Sequence, residues 1–203
     1  LALLSRISES VAQTKPIKIV ALGDSLTAGF GVDDRDSFPS RLDAALKARG
    51  YHVIVSNAGV SGDTVDDGLA RLDWALGDDV DAVIVALGAN DALRGLNPAA
   101  TRANLDMLVG RIVSRGLPVL VAGMAAPRNL GEAYVAAFDG LFVDVATKYG
   151  ALFYPFFLDG VVLNPRLNQP DGIHPNPAGV AVIVERILPS VEKLVARAKA
   201  RRG

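Results

Sequence analysis

The chain is 203 residues long and half of them are hydrophobic, enough for one domain with a full core and short for two. Lysine plus arginine number 21 and aspartate plus glutamate 22, and the resulting net charge of -1 argues against nucleic-acid binding. There is no cysteine, which excludes disulfides, a thiol nucleophile and thiolate metal sites.

The N-terminal residues carry two readings. Leu1-Ala2-Leu3-Leu4 fits the end of an apolar signal core, and Ser10-Val11-Ala12 puts small residues at the two positions a signal peptidase reads. The alternative is a short amphipathic helix that stays attached. The first reading implies a periplasmic or secreted protein, the second a cytoplasmic one. Residues 1–16 are expected to stand apart from one domain over 17–203. No apolar run approaches the roughly 18 residues of a membrane span.

Strands are expected at Ile17 to Leu22, at Val53 to Val55 running into Asn57-Ala58-Gly59, at Ala82 to Leu87, at Leu117 to Ala122 and at Ala151 to Tyr154. Between them, helices are expected over Ser37 to Gly50, Thr64 to Leu76, Pro98 to Arg115 and Gly131 to Tyr149. A last helix should run from Pro177 towards Ala200, kinked at Pro189. Its basic end, Arg197 to Arg202, reads as a solvated terminus suited to the helix dipole. The strands are continuous apolar runs that alternate with helices. That pattern belongs to a parallel sheet buried on both faces, hence a three-layer α/β/α sandwich.

In such a sheet ligands bind at the carboxyl ends of the strands. The rule selects Gly23 to Gly31, Asn57 to Thr64, Gly88 to Arg94, Gly123 to Gly131 and the segment before His174. Ser25 follows the first strand directly, where a hydroxyl can act as a nucleophile or simply cap a turn. A serine nucleophile needs a base, and the chain has two histidines. His52 precedes a strand and should lie at the opposite sheet end. His174 stands in Asp171-Gly172-Ile173-His174, and a carboxylate three residues earlier can reach Nδ1 and fix the tautomer. Oxyanion donors are available from the Ser25 N–H, the Gly62 N–H and the Asn90 amide. Gly62 could instead serve only a turn, and Asn90 only a helix cap.

The set Gly23-Asp24-Ser25-Leu26, Gly62, Gly88-Ala89-Asn90-Asp91 and Asp171-Gly172-Ile173-His174 resembles the GDSL, or SGNH, hydrolase superfamily. The longer stretches Asn57 to Thr64, Gly68 to Leu72, Asn90 to Gly95 and Tyr154 to Phe157 resemble its branch of bacterial arylesterases and acyl-thioesterase/lysophospholipases. The resemblance covers nearly all of the chain after Ile17. It implies a flavodoxin-like sandwich with a five-stranded parallel sheet. It also implies hydrolysis of small-molecule carboxylic esters or thioesters by Ser25, His174 and Asp171, without cofactor or metal. The matching glycine is Gly62, which leaves Gly59 for chain geometry and Asp24 for holding the nucleophile loop. An acyl-binding wall is expected from Leu93, Met124, Ala125, Ala126, Pro127 and Phe157. A carbohydrate acetylesterase is the alternative within the superfamily, although the chain is poor in aromatic residues for sugar stacking. A flavodoxin-like binding module is the alternative outside enzymes, against which stands the lack of a phosphate-binding glycine fingerprint.

Overall fold

The structure is a computed structural model that describes residues 15–202. The signal-like pattern at Leu1 to Ala12 lies outside the described residues.

Five strands form one parallel sheet: β1 (Ile17–Gly23), β2 (Val53–Gly59), β3 (Ala82–Ala86), β4 (Val119–Ala122) and β5 (Leu152–Tyr154), in the order β2-β1-β3-β4-β5. Every residue of β3 and β4 is buried, which is why they read as unbroken apolar runs. The edge strands β2 and β5 are only partly buried.

Eight α-helices accompany the sheet among the described residues: α1 (Ser25–Ala28), α2 (Phe38–Ala48), α3 (Val65–Ala70), α4 (Leu72–Ala75), α5 (Ala89–Leu93), α6 (Pro98–Ser114), α7 (Glu132–Lys148) and α8 (Pro177–Arg202). The chain leaves β1 for β2 in one direction through α2. It then crosses back through α3, α6 and α7 in the other. Right-handed crossovers therefore put α2 on one face and α3, α6 and α7 on the opposite face. The packing agrees, with α8 against α2 on one side and α6 against both α3 and α7 on the other. Phe38, Leu42 and Leu46 of α2 are buried at helical spacing, and so are Ile183, Ile187, Val191 and Leu194 of α8.

Local signals explain the helix starts. Ser37 accepts from the Ser40 N–H ahead of α2, and Thr64 forms a reciprocal capping box with Asp67 at α3. The single helix expected over Thr64 to Leu76 is broken at Arg71, whose guanidinium turns inward onto Asp63 and the Gly23 carbonyl. α8 runs on through Pro189, with Ile187, Leu188 and Val191 buried around it. The basic run at its end is not simply solvated. Arg202 pairs with Asp81 and donates to the carbonyls of Lys15 and Pro16 at 2.6 and 2.8 Å, tying the last helix to the start of β1.

The direction of winding reverses between β1 and β3. That switch point opens a crevice at their carboxyl ends. Ser25 follows β1 and Asn90 follows β3, so both candidate residues border this crevice.

Candidate active site

The turn that carries Ser25 is held from behind. Asp24 caps α1, its Oδ1 accepting from the Leu26 N–H at 2.9 Å. Its carbonyl accepts from the N–H groups of Thr27 and Ala28. β2 lies tight against this turn, since a Cβ on Gly59 would sit 2.2 Å from the Ala28 nitrogen. The role in chain geometry expected of Gly59 is thus a matter of close approach.

Asp171 and His174 form a self-contained unit. Asp171 Oδ1 accepts from the N–H groups of Ile173 and His174 at 2.9 and 3.0 Å. Its Oδ2 lies 2.7 Å from His174 Nδ1. The His174 N–H, then its ring, then the Ile173 N–H hold the Asp171 carboxyl down at about 2. A carboxylate on Nδ1 keeps the proton on that nitrogen and leaves Nε2 as the acceptor. Nε2 lies 2.9 Å from Ser25 Oγ, so the hydroxyl is placed to donate to it. The Phe30 ring lies against the imidazole, with centroids 4.6 Å apart. His52 is exposed just before β2, at the amino-terminal end of the strands, opposite the end that carries Ser25.

The oxyanion-donor candidates converge on the same edge. Among the described residues the N–H groups of Ser25 and Gly62 meet no protein acceptor. Asn90 sits on the short helix α5, and its Nδ2 donates to the Asp63 carbonyl at 2.9 Å. The loop carrying Gly62 is braced from three directions. Arg94 donates to the Gly62 carbonyl at 2.7 Å. Arg71 donates to Asp63 Oδ2 at 2.5 Å and to the Gly23 carbonyl at 2.9 Å. Asp91, buried, accepts from the Val65 N–H and the Thr101 hydroxyl. A rigid backbone next to developing charge is what electrostatic stabilisation of an oxyanion requires.

The residues expected to form an acyl-binding wall separate into two groups. Leu93 is exposed, and Ala125 and Pro127 are partly exposed. Met124, Ala126 and Phe157 are buried and pack with the core. Phe157 packs edge-on against Phe38 with centroids 4.9 Å apart. The Ala126 N–H is tied to Asp139 at 2.8 Å. Phe30 and Arg71 fall inside stretches the sequence singles out but their bracing contacts were not read there, and Gln169, which reaches Phe30 across 139 positions, was missed altogether. Among the described residues no group of three or more His, Cys, Asp or Glu could hold a metal ion, and no helix is long and apolar enough to cross a membrane.

Residues 21–182 match the GDSL-like lipase/acylhydrolase family. The chain is 36% identical to an arylesterase of Vibrio mimicus, over 91% of this chain and 92% of that one. It is 33% identical to the thioesterase 1/protease 1/lysophospholipase L1 of Escherichia coli K12, over 87% and 84% respectively. Among solved structures, the SGNH-hydrolase family esterase AlinE4 superposes with a TM-score of 0.76 at 42% identity, covering 90% of this chain and 98% of that chain.

Proposed function

Because the chain belongs to the GDSL-like lipase/acylhydrolase family, we propose that its ester hydrolysis runs through Ser25, His174 and Asp171. The protein is a serine esterase of the SGNH type. The observation that carries the residue assignment is the unbroken line from Asp171 Oδ2 to His174 Nδ1 at 2.7 Å and from His174 Nε2 to Ser25 Oγ at 2.9 Å.

His174 takes the hydroxyl proton as Ser25 attacks the acyl carbon. Asp171 orients the ring and stabilises the imidazolium. The oxyanion is held by the N–H groups of Ser25 and Gly62 and by the Asn90 amide. His174 then protonates the leaving alcohol or thiol. Water, activated by the same imidazole, releases the acid.

The substrates proposed are aryl esters and short to medium acyl esters, with thioesters and lysophospholipids as further candidates. Relatives named as an arylesterase and as a thioesterase and lysophospholipase support this range. A periplasmic or secreted location belongs to the same proposal and is tested by cell fractionation.

The test combines p-nitrophenyl ester turnover with labelling by a fluorophosphonate. The parent protein should do both and Ser25→Ala neither. Labelling that persists in Ser25→Ala would place the nucleophile elsewhere.

A further inference from the structure

His174 does not stand on the sheet. It lies near the end of segment 155–176, which contains neither helix nor strand and links β5 to α8. Ser25 is anchored 149 positions earlier, at the start of α1 just past the end of β1. A base on an irregular segment and a nucleophile on a strand end need a connection that fixes their separation. An ångström of misplacement between reacting groups costs about a hundredfold in rate.

The segment is first folded onto itself. Asn168 Nδ2 donates to the carbonyls of Val161 and Asn164, and Asn176 Nδ2 donates to that of Arg166. Residues 168 and 175 form an antiparallel bridge. None of these bonds reaches Ser25. Besides His174 itself, the side chain of this segment that hydrogen-bonds the nucleophile loop, among the described residues, is Gln169. Its Nε2 donates to the Phe30 carbonyl at 2.7 Å and to the Pro175 carbonyl at 3.0 Å. Its backbone N–H donates to the His174 carbonyl at 2.7 Å. The Phe30 N–H in turn donates to the Ser25 carbonyl at 3.1 Å.

These bonds close on themselves. We propose that Gln169 is a positioning residue whose amide completes a ring of hydrogen bonds from the Ser25 carbonyl through Phe30, Gln169 and His174 back to the Ser25 hydroxyl. The ring sets the distance between nucleophile and base, and it rests on the assignment of Ser25 and His174 made above. Phe30 contributes twice, giving its carbonyl to Gln169 and its ring to a tilted contact with the imidazole. Gly31 keeps the passage open. It has φ +74°, and a Cβ there would lie 2.1 Å from Gln169 Oε1.

The Gln169 amide is spent on the Phe30 and Pro175 carbonyls and not on Ser25 or an oxyanion donor, so its loss should appear in kcat and not in KM. Gln169→Met keeps the length of the side chain and deletes the donor. Its kcat for a p-nitrophenyl ester should fall roughly tenfold to a hundredfold while KM changes by less than about threefold. Fluorophosphonate labelling of Ser25 should slow by the same factor. The low-field proton resonance of the Asp171–His174 hydrogen bond should persist, because that unit is local. Gly31→Ala, which displaces Gln169 without removing it, should have the same signature, and the double variant should be no worse than the more impaired single one. It also supplies the readout should Gln169→Met not accumulate as folded protein. A kcat per folded molecule equal to the parent's in these variants overturns the proposal and leaves the assignment of Ser25 intact. Persistent labelling in Ser25→Ala overturns that assignment instead, and the ring with it.

Discussion

Asp24 Oδ2 lies 3.4 Å from the Asn90 amide nitrogen, so a buried carboxyl group and a proposed oxyanion donor face each other behind the nucleophile. The contact is longer than the 2.9 Å bond from the same nitrogen to the Asp63 carbonyl, and it is the one that can yield when an oxyanion forms.

Burial pushes the Asp24 carboxyl up to about 7, against the opposing pull of the Leu26 N–H and the neighbouring His174. In the unfolded chain the group returns to an ordinary value near 3.8. Between these two values the unfolded chain releases the proton and the fold keeps it. Asp24 therefore costs stability progressively as pH rises from about 4 to about 7, with no further change above. Asp24→Asn cannot titrate. Its melting temperature relative to the parent should rise across that window and then level off. A difference that is flat from pH 4 to pH 8 in paired thermal melts would contradict the buried, protonated carboxyl.

Asn90→Ala removes a proposed oxyanion donor. kcat should fall by about a hundredfold or more, the usual consequence of losing one such group. The Asp63 carbonyl also loses its partner, at a stability cost of about 1 kcal/mol. Steady-state kinetics and urea unfolding separate the two effects. A variant with the parent's kcat would leave Asn90 as a brace for the Gly62 loop and nothing more.

The sheet and its active edge were legible because the physics behind them is local. Buried parallel strands must be continuous apolar runs, and ligands bind beyond their carboxyl ends whatever their order. Asp171 and His174 were legible for the same reason, being three residues apart on one turn of chain. The supports were not. Arg71 reaches Gly23 across 48 positions, and Gln169 reaches Phe30 across 139. No spacing rule encodes such contacts. The inward turn of Phe157 is not legible either, because an aromatic side chain in a loop after an edge strand can turn inward as readily as outward, and here it fills the space beside Phe38.

The division of the expected acyl wall gives a paired prediction. Phe157→Ala should cost about 3–5 kcal/mol in stability, as for a large core side chain replaced by a small one. Leu93→Ala should leave stability within about 0.5 kcal/mol. It should instead raise KM for longer acyl esters more than for acetate, because Leu93 is exposed at the end of the helix that carries Asn90. Chemical unfolding together with an ester chain-length series checks both halves. An unstable Leu93→Ala with an unchanged chain-length profile would show that Leu93 only packs.

The last prediction treats Ser25, His174 and Asp171 as one device. Ser25→Ala should abolish labelling and almost all turnover, since the acyl group then has no acceptor. His174→Ala should cost nearly as much, because the hydroxyl keeps its proton and attacks poorly. Asp171→Asn should lower kcat by up to about four orders of magnitude, since an amide at this position permits the wrong tautomer. The losses should not add. Once the nucleophile is gone the base has nothing to activate, so Ser25→Ala combined with His174→Ala should equal Ser25→Ala alone. His52→Ala, at the opposite end of the strands, should be close to neutral and serves as the control. The pH profile adds a separate check. The Asp171 carboxyl is held down at about 2, so it stays ionised through mildly acidic pH. Activity lost on acidification before the protein unfolds should therefore not come from protonation of Asp171. If His52→Ala abolished turnover while His174→Ala spared it, the base would have been placed at the wrong end of the sheet, and the ring through Gln169 would have no catalytic partner to hold.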